Sequence, residues 1–337
     1  MKSIKFFLLL VFSTLFVAAC GIQSLFLPDA PLALDETPDF LANLTQVNDY
    51  PFYTAEYIGD YGFDAYLESG IYPVDIALIN QQNSYACSCF YAGGDSPIFG
   101  RNFDWYESPA LLLFTDPPGG FRSMSMVDIS YLGYDQYLTP FDEPELLKLA
   151  PFLPFDGMNE YGLAIGMMAV GHAEGGNGPK KRTLDSLELI RLILDHAIDV
   201  PDALDLIRDY NVDFGSVPVH YLISDRKGNS VIVEYLDNEI VVIESDQAYQ
   251  VATNFIISEV QPRGANTHSN RYNTLVRALS KLEGVLEKNF AMDLLADVSQ
   301  SGSETATRWS IVYDMRGLSV SVAINRNFQE LYNFKMD

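Results

Sequence analysis

The sequence predicts an α+β fold, and three observations predict it. A strand–turn–strand pattern occupies 87–105, two adjacent helical patterns fill 185–210, and strand pairs return at 219–244 and 309–325. Hairpins on either side of helix pairs imply antiparallel sheets packed against helices. A doubly wound parallel sheet needs strands and helices to alternate throughout, and here they do not. The chain has 337 residues, of which 48% are hydrophobic and 20% charged. That balance supports a sizeable core and excludes wholesale disorder.

In chain order, Cys87 to Tyr91 and Ile98 to Trp105 are short apolar runs joined by Ala92-Gly93-Gly94-Asp95-Ser96-Pro97, a hairpin signal. Residues 161–170 (YGLAIGMMAV) form a buried-strand run entered through a turn at 158–162. A helix is expected from Asp185 to Ile198, with Asp185 and Glu188 spaced as a capping box and Leu187, Ile190 and Leu194 on one face. A second runs from Pro201 to Tyr210, with proline at an early helical position. Strands follow at Val219–Ser224, Ser230–Leu236 and Glu239–Glu244, the last two joined by Asp237-Asn238. Helices are expected over Arg271–Leu282 and Phe290–Val298. A closing hairpin turns at Arg316-Gly317 between Trp309–Met315 and Leu318–Asn325.

The N-terminus reads as an address. Lys2 and Lys5 precede an apolar run from Phe6 to Val17, too short to span a bilayer comfortably, and a small-residue site follows. That site, Val17-Ala18-Ala19-Cys20, resembles the lipobox of a bacterial lipoprotein, which implies a signal peptide at 1–19 and lipidation of Cys20 in an exported, cell-envelope protein. Residues 20–40, with Pro28, Pro31 and Pro38, read as a lipidated spacer. Residues 41–86 are rich in aromatics (Tyr50, Phe52, Tyr53, Tyr57, Tyr61, Phe63, Tyr66) and must pack on something, either as an N-terminal subdomain or as a pro-segment covering a catalytic body at 87–337.

Charge and rare residues narrow the chemistry. Lys plus Arg number 21 against 45 Asp plus Glu, a net charge of −24, which argues against nucleic-acid binding. Three cysteines are too few for a disulfide scaffold. The four histidines (His172, His196, His220, His268) are dispersed, in no metal-binding frame, and read as structural or surface residues.

The sharpest local feature is Cys87-Ser88-Cys89-Phe90 followed on the next strand by Phe99-Gly100-Arg101-Asn102-Phe103-Asp104-Trp105. A guanidinium beside a thiol lowers its pKa and favours the nucleophilic thiolate. A nearby aspartate can hold an ammonium group. An N-terminal cysteine could use its own α-amine as base, so no histidine need stand beside the thiol. These residues alone favour a blander reading, a buried cysteine in a core strand with a surface ion pair. Cys89, two residues on and on the same face of a regular strand, reads as a small buried hydrophobe and is a distant second choice as nucleophile; a bond between the two sulfurs would be strained.

CSCF…FGRNFDW is similar to the opening of mature linear amide C–N hydrolases, the cysteine N-terminal-nucleophile (Ntn) group of choloylglycine (bile-salt) hydrolases, penicillin V acylases, acid-ceramidase-like amidases and isopenicillin-N acyltransferase relatives. Further matches stand in order: DGMNEYGLAIG at 156–166, HYLISDRKGNSVIVEY at 220–235, ATN at 252–254, SNRY at 269–272 and RWSIVYDM at 308–315. The resemblance implies an Ntn-hydrolase αββα sandwich of stacked antiparallel sheets between helix layers. It implies Cys87 as nucleophile, freed by autocleavage of the Ala86–Cys87 bond, Arg101 tuning the thiol and Asp104 holding the amine. It also implies Asn254 as an oxyanion donor and Arg271 as a second positive group. The substrate it implies is a small-molecule N-acyl amide, with no cofactor and no metal.

Two departures count against naming the substrate further. Ala169 stands where bile-salt hydrolases carry Asn and penicillin V acylases Tyr, which removes one expected oxyanion donor, and the long segment ahead of Cys87 is closer to the ceramidase-like and acyltransferase branches. Acyl transfer to another amine is the alternative reaction, and a non-catalytic ligand-binding lipoprotein the alternative class. The sequence leaves the oligomeric state open.

Overall fold

The computed structural model describes residues 43–73, 87–176, 178, 182–260, 269–302 and 305–336. The signal peptide at 1–19, the spacer at 20–40 with Cys20, His268 and the Ala86 side of the Ala86–Cys87 bond lie outside the described residues.

The aromatic segment ahead of Cys87 is built into the body. It forms strands β1 (Thr45–Asn48) and β2 (Phe52–Ile58) and helix α1 (Phe63–Ser69). The Cys87 hairpin follows as β3 (Ser88–Ala92) and β4 (Ile98–Trp105), and then β5 (Ala110–Asp116) and β6 (Ser123–Asp128). Next come β7 (Pro154–Asn159), β8 (Ala164–Ala169) and β9 (Thr183–Asp185). Helix α2 (Ser186–His196) starts at the expected capping box: Asp185 Oδ1 accepts from the Leu187 and Glu188 amides, and Glu188 accepts from the Asp185 amide. Helix α3 (Val200–Asp209) has proline in its first turn and leads to β10 (Asn211–Asp213).

Strands β11 (Val219–Ser224), β12 (Ser230–Leu236) and β13 (Glu239–Glu244) fall where the sequence places them. The β12–β13 turn puts both Asp237 and Asn238 at positive φ (52° and 63°), the conformation a two-residue hairpin needs and these residue types tolerate. Strand β14 (Tyr249–Ala252), helices α4 (Asn270–Lys281) and α5 (Lys288–Asp297), and strands β15 (Ala306–Asp314), β16 (Ser319–Ile324) and β17 (Tyr332–Lys335) complete the described chain.

The strands assemble into a sheet of order β1-β2-β5-β6-β7-β8-β11-β12-β13 and a second of order β14-β3-β4-β15-β16-β17. Strand β3 faces β8 and β11 across the sandwich. Helix α2 packs on β7 and β8, α4 on β14 and β3, and α5 on β15 and β4. This is the αββα layering that the family resemblance implied. Alternation along β3 and β4 serves the two cores: Cys89, Tyr91, Phe99, Phe103 and Trp105 belong to the core shared with the first sheet. Phe90, Ala92 and Ile98 join Leu275, Leu279 and Leu295 in the core beneath α4 and α5.

The sheets are not wholly antiparallel. Strand β2 pairs in parallel with β5 over seven residues, Phe52 opposite Ala110 through Ile58 opposite Asp116. The segment is also held by side chains. Phe52, Tyr53, Tyr57, Tyr61, Phe63 and Tyr66 are buried, Tyr61 Oη donates to Asp195 Oδ2 at 2.5 Å, and Arg182 donates to the Leu67 and Glu68 carbonyls.

Candidate active site

Cys87 immediately precedes β3, with its thiol buried between the two sheets. Arg101, facing the same space from β4, places Nη2 3.6 Å from Cys87 Sγ. The guanidinium is fully buried and held through both terminal nitrogens. Nη1 donates to the Phe155 carbonyl at 2.7 Å and to Asp156 Oδ2, while Nη2 donates to the Met167 carbonyl at 2.9 Å. Asp156 is oriented in turn by Trp309 Nε1 and Tyr313 Oη. Burial works against the Arg101 charge, and the facing Asp156 more than offsets it, so the guanidinium stays charged. Gly166 opens the room: a Cβ there would stand 3.1 Å from Cys89 Sγ and 3.2 Å from Arg101 Cδ.

Asp104 lies three residues along β4 and points toward the helix layer. An irregularity in the β15 register between Thr307 and Trp309 lets Thr307 donate to Asp104 Oδ1 at 2.5 Å while Trp309 turns inward to stack on Phe103. Asp104 Oδ2 has no hydrogen-bond partner among the described residues and lies 3.6 Å from Arg271 Nη1. Arg271, in the first turn of α4, joins the remaining groups. Nη1 donates to the Cys87 carbonyl at 2.5 Å and to Ser88 Oγ at 2.6 Å, and Nη2 donates to Asn254 Oδ1 at 2.8 Å. Because Asn254 Oδ1 faces a guanidinium, its amide orientation is settled, and Nδ2 donates to the Ala169 carbonyl at 2.8 Å. One Nδ2 hydrogen remains for another acceptor.

Cys87, Arg101, Asp104, Asn254 and Arg271, separated by up to 184 residues in the chain, thus form one connected cluster. Arg101 does pull the Cys87 thiol pKa down, as the sequence predicts. Burial, with the Asp104 charge behind it, outweighs Arg101 and the Asp104 backbone N–H, so the net shift of the thiol is upward. Cys89 is buried and pushed further up, which suits an inert core residue, and both thiols are free. Sequence reasoning passed over Asp156 and Thr307, although Asp156 opens a quoted motif. The histidines divide: His172 pairs with Glu259 on the surface, His196 with Asp64, and His220 is buried.

Burial pushes the Asp104 carboxyl up to about 6, against the Thr307 hydrogen bond and the Arg271 charge. The raised value fixes a sign. Below about pH 4 the carboxyl is protonated folded or unfolded. Between about 4 and 6 the folded chain holds the proton more tightly, so stability falls as pH rises, by an order of about 3 kcal/mol at neutrality. In a Cys87→Ala background, Asp104→Asn should therefore be the more stable protein in urea unfolding at pH 7, with the gain vanishing near pH 4. A less stable variant at pH 7 would mean that Arg271 anchors the carboxylate more strongly than burial burdens it.

The sequence matches the family model of linear amide C–N hydrolases, choloylglycine hydrolase family, over residues 93–256. Over that stretch the chain is similar to this family. The proteins that this model describes are hydrolases of C–N bonds in linear amides. The match takes in Arg101, Asp104 and Asn254. Among solved structures, it resembles a mutant conjugated bile acid hydrolase from Clostridium perfringens (TM-score 0.54, 16% identity, 74% of this chain and 92% of that one). It also resembles a penicillin V acylase from Agrobacterium tumefaciens (TM-score 0.54, 17% identity, 74% of this chain and 86% of that one). These likenesses establish the Ntn-hydrolase fold of this chain. No curated protein sequence matches it.

Proposed function

We propose that this chain is an exported, lipid-anchored hydrolase of N-acyl amides whose nucleophile is Cys87, freed by cleavage of the Ala86–Cys87 bond. The observation that carries the reading is the convergence of Arg101, Asp104, Asn254 and Arg271 on one buried cysteine. A thiol whose pKa is raised needs a base, and a free α-amine on the same residue supplies one. The Cys87 thiol passes its proton to that amine and attacks the substrate carbonyl. The oxyanion accepts the free Nδ2 hydrogen of Asn254, a donor type worth about 10²–10³ in rate. The Cys87 ammonium then protonates the leaving amine, and water hydrolyses the thioester, returning the thiol and releasing the acid. Asp104 Oδ2, buried and held by the Arg271 charge without accepting a hydrogen bond among the described residues, suits the ammonium.

The lipid anchor rests on Val17-Ala18-Ala19-Cys20 at the end of a signal-like run. Residues 41–86 are, on this reading, the pro-segment that cleavage separates from 87–337. No described helix is long and apolar enough to cross a membrane.

Wild type and Cys87→Ala, incubated side by side with a panel of N-acyl amides, test the scheme. Mass spectrometry should find a new N-terminus at Cys87, and acid and amine release, only in the wild type. An uncut chain that turns over substrate at full rate would overturn it. Adding an amine acceptor separates hydrolysis from acyl transfer, which would divert the acyl group into a new amide.

A further inference from the structure

Asn254 stands two residues past the end of β14, in a stretch (253–259) with no strand ladder to hold it. Two buried residues from the opposite sheet supply the support. His220 on β11 and Glu234 on β12 are each 1% exposed. His220 Nε2 lies 2.7 Å from the Thr253 carbonyl, and Nδ1 lies 3.2 Å from Glu234 Oε1. Glu234 Oε1 also accepts from the Ile257 amide at 2.6 Å. Its Oε2 accepts from the Ser258 amide at 3.1 Å and the Ser258 hydroxyl at 2.5 Å. The pair therefore grips the loop on both sides of Asn254, at 253 and at 257–258.

Hydrogen-bond inventory fixes the roles. A carbonyl only accepts, so Nε2 donates to Thr253. Burial pushes the Glu234 carboxyl up, but the hydrogen bonds from His220, Ser258 and the two backbone amides outweigh it and hold the group below its ordinary value. Glu234, whose oxygens accept three other hydrogens, stands 3.2 Å from Nδ1 in a dry interior and fixes the ring from its other side. Such a pair is stiff where a solvated turn would be loose.

We infer that His220 and Glu234 are positioning residues for the oxyanion donor, clamping the Thr253 carbonyl and the 257–258 backbone so that the Asn254 side-chain N–H is aimed at the reacting carbonyl. The inference rests on the role given to Asn254 above. It assigns to His220 a function beyond the structural or surface role expected from its isolated place in the sequence. The pair touches no substrate. It acts through Asn254, whose other fixed contacts are Arg271 and the Ala169 carbonyl.

The test is a double-mutant cycle on the processed full-length enzyme, with processing verified by mass spectrometry. Asn254→Ala should lower kcat by about 10²–10³-fold. His220→Ala should lower kcat by about 10²-fold, the scale of a misplaced catalytic group, with KM within a few-fold of wild type. His220→Gln, which keeps a donor for Thr253, should recover much of the loss. The double variant His220→Ala/Asn254→Ala should be no slower than Asn254→Ala alone, because there is no longer a donor to aim. Should His220→Ala fail to fold, Glu234→Gln takes its place in the cycle with the same expected non-additivity. Losses that multiply, or a His220→Ala enzyme at full kcat, overturn the inference and leave the oxyanion role standing. If Asn254→Ala by itself runs at the wild-type rate, the oxyanion role falls and takes the inference with it.

Discussion

Arg101→Met should unfold at a far lower denaturant concentration than wild type, a loss of about 3–5 kcal/mol, because it strands the buried carboxylate of Asp156 without its counter-charge. The double replacement Arg101→Met/Asp156→Asn should regain most of that stability, since removing both charges leaves no uncompensated ion. Neither variant should regain activity. Without the guanidinium 3.6 Å from its sulfur, the Cys87 thiol loses the strongest influence opposing burial, and alkylation of processed enzyme by iodoacetamide should slow markedly. Guanidinium unfolding curves and labelling rates on the same samples separate the two effects. A stable single variant would show that Asp156 is carried by Tyr313 and Trp309 rather than by Arg101.

A second large effect concerns residues 43–73. If the chain is cut ahead of Cys87, as proposed, this segment should stay attached to the catalytic body. Seven parallel-paired residues and the buried rings of Phe52, Tyr53, Tyr57, Tyr61, Phe63 and Tyr66 hold it. At about 1.5–3 kcal/mol per buried large side chain, those six are worth about 9–18 kcal/mol as an upper estimate, against about 4–15 kcal/mol for association, and the strand ladder and the Tyr61–Asp195 bond add to the favourable side. Size-exclusion chromatography of matured enzyme should therefore show both chains in one peak, parting only in denaturant. Two separate peaks in native buffer would contradict it. Lipid on Cys20 would then keep the mature enzyme at the membrane with no covalent link to its catalytic chain.

What was legible in the sequence is what local chemistry encodes. The Gly93-Gly94 turn, the Asp185/Glu188 capping box and the Asp237-Asn238 turn each dictate a short stretch of backbone, and the elements they bound were read to within a few residues. The aromatic crowd at 50–66 announced that it must be buried, but not where. Parallel pairing of β2 with β5 joins residues more than fifty positions apart, and no turn signal marks it. Strands β5 and β6 also escaped notice, because their apolar runs lack a local turn signature that separates strand from buried helix.

The site divides along the same line. Residue types and their order point to Cys87, Arg101, Asp104, Asn254 and Arg271, and the fold draws them together. The sign of the thiol shift could not be read, because it is a contest between one charge at 3.6 Å and complete burial, and burial is a property of both sheets. For the same reason His220 looked idle. Its partners lie 14 and 33 residues away and meet it only across strands.

Strand β2 has a further consequence. It covers the flank of β5, whose Leu111, Leu112, Leu113 and Phe114 form a low-charge, strand-prone run. A gene begun at Cys87 would leave that flank bare, a template onto which identical copies can stack without limit. Residues 52–58 thus shield an aggregation-prone edge, and a chain expressed without them should precipitate where the full chain stays dissolved.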